Sequence, residues 1–68
     1  MNEESFNMSI RKFLKMAGVG SQHEIEQAVS KALASGRLKG KEKLPATIKL
    51  TIPAIGLDVD FDADITLE

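Results

Sequence analysis

Leu57-Asp58-Val59-Asp60-Phe61-Asp62-Ala63-Asp64-Ile65-Thr66-Leu67-Glu68 alternates apolar and polar residues without a break. Neighbouring side chains on a strand point to opposite faces, so a period of two predicts a half-buried β-strand with one oily and one acidic face. Asp58, Asp60, Asp62 and Asp64 make up the acidic side.

Just upstream, Leu44, Ala46, Ile48, Leu50 and Ile52 alternate with Pro45, Thr47, Lys49, Thr51 and Pro53. This is a second strand, confined at its start to an edge by Pro45. Between the two runs, Pro53-Ala54-Ile55-Gly56 carries turn chemistry, with proline presetting one φ and glycine accepting a positive one. Pairing Ile52 with Leu57 sets Leu50 against Val59, Ile48 against Phe61 and Ala46 against Ala63. The opposite face then sets Thr51 against Asp58, Lys49 against Asp60 and Thr47 against Asp62. Both faces agree on one register, which is what specification by pattern requires.

The first half of the chain has helical periodicity instead. Phe6, Ile10, Phe13, Leu14 and Ala17 form one stripe, with Asn2 or Ser5 available as a cap and Gly18 placed to end it. Ser21-Gln22-His23-Glu24 has the form of a capping box, followed by a narrower stripe of Ile25, Ala28, Val29, Ala32 and Leu33 that stops at Gly36. The spacing predicts two helices hinged at Gly18-Val19-Gly20. The expected class is α+β: a helical hairpin followed by a two-stranded antiparallel β-hairpin, α-α-β-β in two layers, forming one small domain over residues 1–68.

Size and composition limit what such a domain can do. With 68 residues and no cysteine, the chain has a small core and no disulfide or thiolate zinc site to reinforce it. No continuous apolar run marks a secretory signal or a membrane span, and a cytoplasmic location is expected. Net charge is −1, but it is segregated. Arg37, Lys39, Lys41, Lys43 and Lys49 stand against Glu42 alone, whereas the closing strand carries only acids.

No chemistry-bearing constellation emerges. Asp58-x-Asp60-x-Asp62 imitates the opening of a calcium loop, yet the sixth position is Ala63 rather than glycine, and carboxylates alternating on a strand are about 7 Å apart and splayed. His23 is the single histidine and has no convergent co-ligands, while Ser21 is accounted for as a cap. The reading is therefore non-enzymatic, with no cofactor, metal or small-molecule substrate.

Two interaction surfaces are candidates: the acidic face of Asp58, Asp60, Asp62 and Asp64, and the basic loop of Arg37, Lys39, Lys41 and Lys43. Eleven strand residues would span about 36 Å, longer than the roughly 28 Å expected across a globule of this size. Either the hairpin coils around the helices, or its end projects and a second copy adding a strand covers it. The aspartates and Lys49 oppose such edge pairing, so the expected function is a protein-interaction module with the homodimer left open. The alternative is a helix-turn-helix or winged-helix-like nucleic-acid binder using the second helix and the basic loop. Glu24, Glu26 and Gln27 on that helix, and four aspartates on the would-be wing, oppose it.

The chain also resembles a small bacterial family of uncharacterised proteins. The similarity runs through Met1-Asn2-Glu3, Phe6 to Lys15, Ser21-Gln22, Glu24-Ile25-Glu26, Ala28-Val29, Leu38-Lys39-Gly40 and Leu44-Pro45-Ala46. It implies a free-standing domain of about this length and carries over no activity, ligand or site residue.

Overall fold

The computed structural model describes every residue, Met1–Glu68. Helix α1 (Glu3–Ala34) is followed by strand β1 (Lys43–Ile52), a 3-10 turn (Pro53–Ile55) and strand β2 (Leu57–Thr66), an α+β composition. The chain divides into two units, Met1–Arg37 and Leu38–Glu68.

In the first unit the expected helical hairpin is not formed; α1 runs unbroken for 32 residues. Gly18 and Gly20 keep negative φ, positive values occurring only at Gly36, Gly40 and Gly56. A glycine inside a helix costs roughly 1 kcal/mol relative to alanine. Breaking the helix there would instead strip up to four N–H and four C=O groups of their helical partners, at about 0.5–1.5 kcal/mol for each hydrogen bond lost. Continuation costs less.

Ser21 accordingly sits in the helix interior, and the capping box does not form. The second helix expected for nucleic-acid recognition is likewise the C-terminal half of α1. The helix starts where Asn2 Oδ1 accepts from the Ser5 N–H at 3.1 Å. It ends in a Schellman arrangement, with the Gly36 N–H donating to Leu33 O at 3.2 Å and the Arg37 N–H to Ala32 O at 2.9 Å.

In the second unit β1 and β2 pair antiparallel in the expected register: Ile52 with Leu57, Leu50 with Val59, Ile48 with Phe61, and so on to Lys43 with Thr66. The Leu67 N–H donates to Glu42 O at 3.1 Å and carries the ladder one step further. Gly56 closes the turn at φ 67°, its N–H donating to Pro53 O.

Taken by itself, neither a lone helix nor a two-stranded ribbon encloses an interior. No residue of the chain is buried. The hairpin's apolar face is half-buried at Leu44, Ala46, Leu50, Leu57 and Ile65. Ile48 and Phe61, opposite each other at its middle, remain 55% and 59% exposed.

Candidate functional site

On the outer face of the hairpin the aspartates are not equivalent. Lys49 Nζ lies 2.8 Å from Asp58 Oδ1 and 3.7 Å from Asp60 Oδ1. The Thr47 hydroxyl donates to Asp62 Oδ1 at 2.6 Å, a charge-assisted contact across the strands. Asp64, opposite Pro45, has no hydrogen bond or ion pair. No three His, Cys, Asp or Glu side chains converge as metal ligands would. Cross-strand neighbours therefore engage three of the four carboxylates, and the negative character is concentrated toward Asp62 and Asp64.

The basic residues fall in both units. Arg37 terminates α1 through its backbone N–H. Lys39 and Lys41 lie in the connection before β1, and Lys43 opens that strand opposite Thr66. None of these four cations is ion-paired, since both ion pairs in the chain belong to Lys49.

The most organised polar feature of the second unit is the Glu42 carboxylate. The Lys39 N–H donates to its Oε2 at 2.8 Å and to its Oε1 at 3.1 Å. The Gly40 and Lys41 N–H groups donate to Oε1 at 3.0 and 3.1 Å. Gly40 adopts φ 98°, and this left-handed residue curls three successive amides around one anion, a backbone nest. The Lys39 N–H above all, with those of Glu42 itself, Gly40 and Lys41, holds the carboxyl below its ordinary value; partial desolvation opposes them.

Reading residues in isolation misses this feature. Its signal was nevertheless in the sequence: Glu42 is the lone acid of the basic stretch and stands two positions after a glycine. His23 and Ser21 both lie within α1 and are not brought near any nucleophile or ligand set. A depression on α1 is lined by Glu4, Ser5, Met8, Ser9 and Lys12, all from one helix flank and open to solvent.

No helix is long and apolar enough to cross a membrane. No curated protein and no solved structure is significantly similar to the chain. The family comparison is informative over the full length: residues 1–68 match the Family of unknown function (DUF6494), and the chain belongs to that family.

Proposed function

We propose that this protein is a non-enzymatic interaction module that works by associating with a second copy of itself. The observation that carries the reading is its uncovered apolar surface. On α1, Phe6, Phe13, Leu14, Met16 and Val19 are 46–65% exposed, and on the hairpin Ile48 and Phe61 are more than half exposed.

The apolar positions on α1 add a geometric reason. At about 100° per residue, Phe6 to Ala17 and Ile25 to Leu33 centre on directions about 80° apart, so the stripe winds around the helix. One flat surface cannot cover both halves, whereas a second helix winding with it can.

Sedimentation velocity from low micromolar concentration upward tests the reading. Growth of the sedimentation coefficient with concentration, abolished by Phe13→Ser, is the expected result. A species that stays monomeric at every concentration and unfolds at a concentration-independent temperature overturns it.

A further inference from the structure

We propose that residues 38–43 form a binding site for a dianionic phosphate group, and that Glu42 is its built-in occupant, displaced when the ligand arrives. The site is the nest itself: the Lys39, Gly40 and Lys41 amides converge within 2.8–3.1 Å on one anionic group, the donor geometry that phosphate oxygens seek. The positive φ at Gly40 is what allows it.

The surrounding charge supplies a second, independent reason. Ordering the loop requires only the one carboxylate that already fills it. Yet Lys39, Lys41 and Lys43 all stand within three positions of Glu42 in the chain, exposed and none of them ion-paired. With Glu42 in the nest they leave a surplus of about two charges, and a phosphate dianion in its place lowers that to about one. The lysine side chains are long and exposed, free to close over a ligand that the backbone has positioned. Glu42 sits on the strand-forming side of the loop, its own C=O accepting from the Leu67 N–H. Its side chain can therefore leave the nest while the backbone of the hairpin stays in place.

The ligand class is a dianionic phosphate group, either free phosphate or the monoester of a small molecule. This site is independent of the self-association proposed above and would stand if that failed.

Amide NMR of the full chain, titrated with inorganic phosphate and in parallel with glycerol 3-phosphate, tests the assignment against sodium chloride of equal ionic strength. Saturable shifts confined to the Lys39, Gly40 and Lys41 amides are expected in the wild type. Binding should tighten about tenfold in Glu42→Gln, the factor expected if the carboxylate fills the nest nine-tenths of the time. Glutamine keeps one acceptor oxygen for the loop, and unchanged signals from residues 46–63 verify that the hairpin is intact. Equal affinity for both ligands identifies free phosphate as sufficient; tighter binding of the ester identifies an esterified ligand. If Glu42→Gln, with its hairpin signals unchanged, gives no phosphate-specific shift at those three amides, the proposal is overturned.

Discussion

The Lys49 ammonium lies closer to its diagonal neighbour Asp58, at 2.8 Å, than to Asp60 directly across the ladder, at 3.7 Å. A strongly twisted two-stranded ribbon brings diagonal positions on one face within reach of a long side chain. Lysine and aspartates are each more than half exposed, so water screens the attraction. Lys49→Ala is expected to lower stability by less than about 1 kcal/mol in urea titration, with the difference shrinking in high salt. A loss of several kcal/mol would mean that this lysine is packed in a way its exposure contradicts.

The continuous course of α1 makes the opposite prediction for its interior glycines. An added Cβ at Gly18 or Gly20 meets nothing within 4 Å, and both residues already have helical dihedrals. Alanine at either site should raise stability by about 0.5–1 kcal/mol, seen as a higher midpoint by circular dichroism. A turn at this point would make the same substitutions destabilising.

Self-association coupled to folding makes thermal stability depend on concentration. Tenfold dilution of the wild-type protein should lower its apparent stability by about 1.4 kcal/mol. Phe61→Ser removes an exposed aromatic ring from the middle of the hairpin's apolar face and should flatten that dependence. If the variant keeps the wild-type slope, the hairpin face takes no part in association.

Loop order should depend on pH in a defined direction. Because amide donors depress the Glu42 pKa in the folded chain, its contribution is complete above the ordinary carboxylate value of 4.5 and is lost as pH falls through the lower, folded value. Fast exchange of the Lys39, Gly40 and Lys41 amides should therefore set in only on acidification below 4.5. Wild-type amides that become labile between neutrality and pH 5 would point to a different group.

The hairpin was readable residue by residue because its two faces are constrained twice. Alternation at Leu57 to Leu67 and at Leu44 to Ile52 selects strands, and only one alignment puts oil against oil while setting Lys49 and Thr47 against aspartates. The site was less legible. Each cation of the loop is visible in the sequence, but convergence of three amides on Glu42 depends on the positive φ at Gly40, which residue identity permits without dictating.

The sequence alone determined the α+β order, the strand register, the Gly36 helix end and the Pro53–Gly56 turn, since local periodicity and turn stereochemistry decide each of them over short stretches. The tertiary structure alone decided that Gly18-Val19-Gly20 stays helical and that Glu42 folds back into its own loop. Both outcomes turn on where backbone hydrogen-bond donors and acceptors find partners, a question settled by the three-dimensional course of the chain and not by the propensity of any one residue.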